Sequence, residues 1–303
     1  MRIFGNKLPK RKIPCVAAIG AFDGVHLGHQ KILNKVISRA KHLGINSLVI
    51  TFDSHPRKFL KNNYVSAMLT SNADKAVILK ELGIDCVWFL KTDRDLLNME
   101  AHDFLLLVNK YFRVVEFVAG DDFRFGKDAL HGAHTLNKLA DKFDFGHFIF
   151  KKKKFGSKSI SSSLVRQMVA SGDVVNAARF LGKPYSLYGV VVSGKGNGKR
   201  FGFPTANILP DDYIIPAGGV YAGKCVVNGR EYIAAINIGN NPTVNNNNKQ
   251  TIEAHLIGFK KNIIGQNVRL IFIKRIRDEK KFSSLEDLIT AIRNDVQHIM
   301  HMF

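Results

Sequence analysis

Val16-Ala17-Ala18-Ile19-Gly20-Ala21-Phe22-Asp23-Gly24-Val25-His26-Leu27-Gly28-His29 decides the fold of the first half of this chain. An apolar run ending at Ile19 turns through glycines and opens a pattern in which Ile32, Leu33, Val36, Ile37 and Ala40 share one helical face. Strand, glycine turn and helix in that order bring backbone N–H groups to the positive end of a helix, which suits a nucleotide phosphate. His26 and His29, three apart, would face one ligand and can donate to phosphate oxygens, and Gly28 would let a polyphosphate approach closely. Two histidines without a third ligand at recognisable spacing do not make a zinc site. A purely structural histidine pair stays open as the plain alternative.

The pattern repeats outward. Ser47–Phe52, Cys86–Phe89, Glu116–Ala119 and His147–Phe150 read as further strands, and Ala76, Ile78, Leu79 and Leu82 mark a second helical face. Strands alternating with helices predict a parallel α/β sheet. After Lys183-Pro184 the chain changes to glycine-punctuated strands, Leu187–Val192, Val220–Val227, Tyr232–Ile238, Thr251–Leu256 and Val268–Ile273, which predict a compact β-barrel. An amphipathic helix follows, with Leu285, Leu288, Ile289, Ile292, Val296 and Ile299 at helical spacing behind a Ser283 or Ser284 N-cap. Asn245–Asn248 is a low-complexity patch read as a loop tip. The expected domains are residues 1–184 and 185–303, an α/β domain followed by a β domain, and 303 residues at 46% hydrophobic suffice for two cores.

The 45 Lys+Arg against 25 Asp+Glu give a formal net charge of +20, a field that concentrates nucleotides and nucleic acids alike. A solvated basic surface is the plain reading. A nucleic-acid-binding protein is the rival from another class, and Lys151–Lys154 with Phe148, Phe150 and Phe155 beside it is its local support. Cys15, Cys86 and Cys225 lie far apart with no CxxC pair, so neither a disulfide framework nor a cysteine zinc site is expected, and a reducing cytoplasm fits. Lys7, Lys10, Arg11 and Lys12 precede the apolar stretch Cys15–Phe22, which stops at Asp23 and reads as a buried strand rather than a signal segment. No run approaches the roughly 18 apolar residues that span a bilayer. The expectation is a cytoplasmic protein with small-molecule partners, no membrane and no specific nucleic acid.

HxGH at 26–29 is the mark of the nucleotidylyltransferase superfamily, and the longer GxFDGxHxGH form resembles the FAD synthetase domain of bacterial bifunctional riboflavin kinase/FAD synthetases. Thr51-Phe52-Asp53-Ser54-His55-Pro56-Arg57 resembles that family's TFxxHPR segment, and Leu69-Thr70-Ser71 the start of its next helix. Gly120-Asp121-Asp122-Phe123-Arg124-Phe125-Gly126-Lys127 is similar to its GxDFxFGK turn. Ile160-Ser161-Ser162-Ser163 with Arg166 is similar to ISSTxIR, with Ser163 for Thr and Val165 for Ile. The resemblance implies a Rossmann-like domain that adenylylates FMN with ATP, giving FAD and pyrophosphate. It implies that His26 and His29 hold the ATP phosphates. Gly20, Phe22, Asp23, Gly28, His55, Asp122 and Phe123 would line the nucleotide and flavin, while Ser162 and Arg166 would clamp phosphate at a second helix start. The FMN phosphate is already an anionic nucleophile, so that chemistry needs alignment and charge neutralisation rather than a strong general base. Arg166, with its fixed fork of donors, suits transition-state charge.

Ser193-Gly194-Lys195-Gly196-Asn197-Gly198-Lys199-Arg200-Phe201-Gly202-Phe203-Pro204-Thr205-Ala206-Asn207-Ile208 is glycine-rich without being a Walker A loop, which would need Gly at 193 and Ser or Thr at 200. A Rossmann fingerprint fails because the glycines lead to Phe-Gly-Phe-Pro rather than a helix. GFPTAN resembles the riboflavin kinase signature. That implies a six-stranded barrel, a flap carrying Gly194, Gly196, Gly198 and Gly202, and Thr205 and Asn207 as holders of Mg2+ and nucleotide phosphate. Thr251–Phe259 resembles the segment whose glutamate is the catalytic base, which places that role on Glu253; a neutral hydroxyl must lose its proton as it attacks. On an alternating strand Glu253 shares a face with His255, and that face can point into the barrel mouth. Gly219–Gly223 and Asn237–Thr243 resemble family loops, with Asn240-Asn241 for Thr-Arg and Val244 for Phe. Arg277-Asp278-Glu279 with Phe282 resembles the flavin-side wall, with Ala291 where Gln is common. The implied cofactor is Mg2+, with ATP, riboflavin, FMN and FAD as substrates or products. A nucleotidylyltransferase with one activity is the rival within the class.

Overall fold

The computed structural model describes residues 1–54, 67–127, 130–151, 154–155, 158–194, 196–240 and 250–303. Contacts divide it into two compact units, Met1–Ser162 and Ser163–Phe303, a junction earlier in the chain than the change of sequence character at Lys183-Pro184.

The first unit runs β1 (Arg2–Phe4), β2 (Ile13–Ile19), α1 (Leu27–Leu43), β3 (Asn46–Phe52), α2 (Asn72–Leu82), β4 (Cys86–Leu90), α3 (Arg94–Leu97), α4 (Ala101–Tyr111) and β5 (Phe112–Gly120). It continues through a hairpin of β6 (Arg124–Phe125) and β7 (His131–Gly132), then α5 (Ala133–Phe143), β8 (Gly146–Phe150) and a ribbon of β9 (Lys154–Phe155) and β10 (Lys158–Ser159). Six strands form one parallel sheet in the order β1-β4-β3-β2-β5-β8. Both faces are covered: Cys15, Ala17 and Ile19 pack into one apolar cluster, and Val16 and Ala18 into another with Leu33, Val36 and Ala40 of α1. That is why β2 reads as a continuous apolar run rather than an alternating one. Strand order reverses at β2, which has β3 on one side and β5 on the other. Ligands of open α/β sheets bind at such a switch point, beyond the carboxyl ends of the strands, and Gly20–His29 and Gly120–Phe123 both leave the sheet there.

The predicted strands are all present. The second helical face is shifted, since Lys75 is buried with Ile78 and Leu79 while Ala76 is only partly covered. β1, the β6–β7 hairpin, α4 and α5 had no expectation in the sequence.

The second unit begins with α6 (Ser162–Ala170), which starts at the junction, and α7 (Val174–Leu181). Then come β11 (Tyr185–Val192), the short α8 (Asn197–Arg200), β12 (Ala206–Pro210), β13 (Gly219–Val227), β14 (Arg230–Asn240), β15 (Gln250–Leu256), β16 (Asn267–Arg277) and α9 (Leu285–Met300). The six strands close as an antiparallel barrel, β11-β12-β15-β14-β13-β16. Five were predicted from periodicity; the sixth, β12, follows from the resemblance to a six-stranded barrel. Leu187, Ile208, Ile236, Ile252, Ala254, Leu270 and Phe272 fill the barrel. Ser284 caps α9, its hydroxyl accepting from the Asp287 amide at 3.1 Å, and Val296 and Ile299 are buried. Among the described residues no helix is long and apolar enough to cross a membrane.

Candidate active sites

At the end of β2 the chain makes a turn of unusual backbone. Phe22 (φ 46°), Gly24 (φ 79°) and Val25 (φ 41°) all sit at positive φ, and for a β-branched residue this is a strained conformation that surrounding contacts must impose. Asp23 imposes it. Its fully buried Oδ1 accepts from the amides of Leu69 (2.9 Å) and Thr70 (3.1 Å) and the Thr70 hydroxyl (3.3 Å). Thr70 Oγ1 in turn accepts from the Gly24 amide at 3.0 Å. The buried Phe22 ring lies under Gly20 and meets His29 edge-on at 5.2 Å.

The turn delivers His26 as the N-cap of α1. Its Nδ1 accepts from the His29 amide at 3.2 Å, so its ring proton is on Nε2 and that nitrogen is the donor. The two imidazoles stack with centroids 3.6 Å apart. Burial first, then the neighbouring His26 and Lys75, holds His29 well below the usual histidine range, so it is neutral at pH 7. Among the described residues its buried Nδ1 has no hydrogen-bond partner. A Cβ on Gly28 would press on His26 Cε1 and Nδ1 at 3.1 Å, so this glycine makes room for the histidine ring.

At the neighbouring strand end, Phe123 N donates to Gly120 O at 3.1 Å in a tight turn whose Asp122 carboxylate leans over Gly120. Phe123 and Phe125 stack at 5.2 Å beside it. Ser162 Oγ donates to the Asp23 carbonyl at 2.9 Å, tying this residue to the turn after β2. Arg166, half-buried, follows one turn along α6, in the second unit. His55 lies outside the described residues, as do Pro56, Arg57, Lys152, Lys153, Lys195 and residues 241–249, which include Asn241 and Asn245–Asn248.

The barrel carries the second site on its outer wall. Register places Asn207 of β12 opposite Glu253 of β15, and Glu253 opposite Asn237 of β14. The three form a polar row across adjacent strands, on the face opposite the core residues Ile252, Ala254 and Leu256. The face shared by Glu253 and His255 therefore lies outside the barrel. Thr205 Oγ1 donates to Glu253 Oε2 at 3.3 Å. The glycine segment folds down on this row: a Cβ at Gly194 would overlap the Asn207 amide, and one at Gly198 would lie 3.0 Å from Thr205 Oγ1. Gly196 (φ 73°) and Gly202 (φ 84°) turn the segment. His255 anchors its base, with Nδ1 2.8 Å from Pro204 O and its ring edge-on to Phe203 at 5.6 Å. Arg277 is held by Asp295 of α9 through Nε and Nη2 at 2.8 to 3.1 Å and stacks over Phe282, so it builds the wall between barrel and helix.

Threonine hydroxyl, asparagine carbonyl and glutamate carboxylate side by side are the hard oxygen donors that magnesium takes, so the residues fit the implied metal. Among the described residues no cluster of His, Cys, Asp and Glu could hold a metal ion. Lys35 and Arg39 of α1 lie over Phe148 at 4.5 and 5.4 Å, and Lys31 over Phe150 at 5.1 Å, so the chain's own cations occupy those rings. Sequence reasoning missed Lys75 and gave Asn237 no role. Spacing could have found the first, three and four residues before Ile78 and Leu79 on one helical face; barrel register alone reveals the second.

Residues 8–164 match the family model described as FAD synthetase, and residues 181–303 the one described as riboflavin kinase. The chain is similar to the bifunctional riboflavin kinase/FMN adenylyltransferase of Bacillus subtilis (strain 168), 34% identical over 294 residues that cover 95% of this chain and 92% of that protein. The protein of that name from Haemophilus influenzae is 36% identical over 288 residues, covering 93% and 92%. The crystal structure of a protein named macrolide-efflux protein from Streptococcus pneumoniae superposes with a TM-score of 0.88 at 26% identity, covering 98% of each chain.

Proposed function

Because this chain belongs to the bifunctional riboflavin kinase/FMN adenylyltransferase family, we propose that residues 185–303 phosphorylate riboflavin to FMN and residues 1–184 adenylylate that FMN to FAD. The chain is a transferase with both activities. The observation that carries the assignment of residues is the pairing of two dissimilar sites: a neutral histidine stack at a sheet switch point, and a carboxylate flanked by amides under a glycine flap.

In the kinase half, Glu253 takes the proton from the riboflavin hydroxyl as its oxygen attacks the γ-phosphorus of ATP and ADP leaves. Thr205, 3.3 Å from that carboxylate, and Asn207, its cross-strand neighbour, would hold Mg2+. Magnesium bound with ATP supplies charge neutralisation to the phosphates. The flap from Gly194 to Gly202 covers the nucleotide, with Gly194 admitting backbone against the Asn207 amide. In the other half the FMN phosphate attacks the α-phosphorus of ATP and pyrophosphate leaves, so no base is required. His26, donating from Nε2, and His29 hold phosphate oxygens; Asp122 and Phe123 lie on the flavin side; Ser162 and Arg166 hold phosphate at the start of α6. His55 keeps its expected role at the nucleotide. The small-molecule partners require no membrane, no specific nucleic acid and no compartment other than the cytoplasm.

Complementation tests the division. Glu253→Ala and His29→Ala should each fail to convert riboflavin to FAD, and a mixture of the two should succeed. A mixture that makes no FAD, from two variants that each retain the other activity, would contradict it.

A further inference from the structure

Among the described residues Lys75 is the only buried lysine or arginine, 1% exposed. An ammonium in that position is costly unless it is paired, so its surroundings say what keeps it. Nζ donates to Thr51 Oγ1 at 3.3 Å, and that hydroxyl donates to the Ala21 carbonyl at 3.1 Å. Asp23 attracts it from the turn, and its charge reaches His29 on α1. The Phe89 ring lies 6.0 Å away. Asp23, His26, Thr51, Thr70 and Lys75 are thus a group of buried polar residues gathered behind one turn.

Asp23 already has three donors from Leu69 and Thr70 that hold the turn in shape. Hydrogen bonding therefore leaves the lysine's charge unexplained, while the turn it underlies is the one that presents His26 and His29. We propose that Lys75 is a positioning residue of the adenylylation site, a buried cation that steadies the HxGH turn through Asp23 and gives its ligand side a positive potential. It acts without touching the nucleotide. In a desolvated place such a charge works on phosphate with little screening. Burial pulls Lys75 down to about 8, against the opposing pull of Asp23, so the charge is present at neutral pH and lost above it. Asp23 and His29 are the titratable groups that face it.

This inference rests on the first unit adenylylating FMN, and the experiment separates the two. Full-length wild type, Lys75→Met and the double variant Asp23→Asn/Lys75→Met are assayed for FAD formation from FMN, with kcat and the KM for ATP resolved, and for riboflavin phosphorylation as an internal control. Lys75→Met should lose roughly 30-fold in kcat/KM for ATP. The double variant leaves no carboxylate unpaired and should regain the thermal stability of the first unit without regaining that loss. Wild-type kcat/KM should fall about tenfold per pH unit above about 8, a limb absent from the double variant. Recovery of the double variant to within about threefold of wild type would make Lys75 a mere counter-ion and overturn the proposal. A wild-type profile flat between about pH 7.5 and 9.5 would overturn it without any variant. Wild type inactive on FMN would instead overturn the assignment of the unit.

Discussion

The imidazole of His26 stacks on that of His29 in planes 14° apart, while His26 Nδ1 accepts the His29 amide at 3.2 Å. One contact thus caps α1, fixes a tautomer and makes a second positive charge unwelcome. The folded unit refuses a proton at His29 that the unfolded chain accepts near pH 6.5. With folded pKa below unfolded, stability is full above about pH 6.5 and is lost as pH falls below it. Thermal melts across that range should show the first unit weakening on acidification, and His29→Asn should flatten the slope.

The same variant should be dead in one reaction only. The role proposed for His29 is to hold phosphate oxygens, and the shorter, non-aromatic Asn withdraws that contact, so His29→Asn should lose on the order of 100-fold in FAD formation from FMN. FMN formation from riboflavin should be unchanged, and rates from the two starting flavins check both halves.

Glu253→Gln keeps the shape of the Asn207–Glu253–Asn237 row and removes the proton acceptor. Riboflavin phosphorylation should fall by about 100- to 10,000-fold, with FMN adenylylation intact. Loss confined to the KM for ATP would instead mark Glu253 as a ligand-holding group.

Gly194→Ala puts a methyl group into the Asn207 amide. The flap must lift, so the KM for MgATP in the kinase reaction should rise roughly tenfold to a hundredfold while the melting temperature of the barrel stays put.

Arg39 of α1 clasps Glu116 of β5, with Nε donating to Oε2 at 2.9 Å and Nη2 to Oε1. That hydrogen bond holds the Glu116 carboxyl below its usual range. Its contribution is therefore present above about pH 4.5 and is lost as pH falls through the lowered value. Glu116→Gln should lower the melting temperature of the first unit at pH 7 and narrow the gap from wild type as the solution is acidified.

Much of the fold is legible because burial is periodic. β2 through β5 are covered on both faces and announce themselves as apolar runs, β8 by its Phe148-Ile149-Phe150 run although it is largely exposed, and the barrel strands as alternation between glycines. β12 had no strand bounds in the sequence because Asn207 and Pro210 are poor strand formers, whose strand conformation is imposed by pairing with β11 and β15. α4 and α5 were legible by the same rule, since Ala101, Phe104, Leu105 and Val108 in one and Leu136 and Ala140 in the other repeat at helical spacing. The candidate sites were legible as motifs, since glycines and histidines at fixed spacing survive any packing. Their physics was not: nothing in HxGH says that the histidines stack, that Gly28 serves His26, or that Lys75 lies behind them. The first two are local facts of a backbone bent to positive φ, and the third is set by where α2 packs against the turn.

The most direct test of two separate activities in one chain is a time course of flavins separated by chromatography after mixing the purified protein with riboflavin, ATP and magnesium, beside a sample started from FMN. FMN should appear first and FAD after it, with FAD forming without delay in the FMN sample. FMN accumulating alone, with the FMN sample inert, would contradict the account.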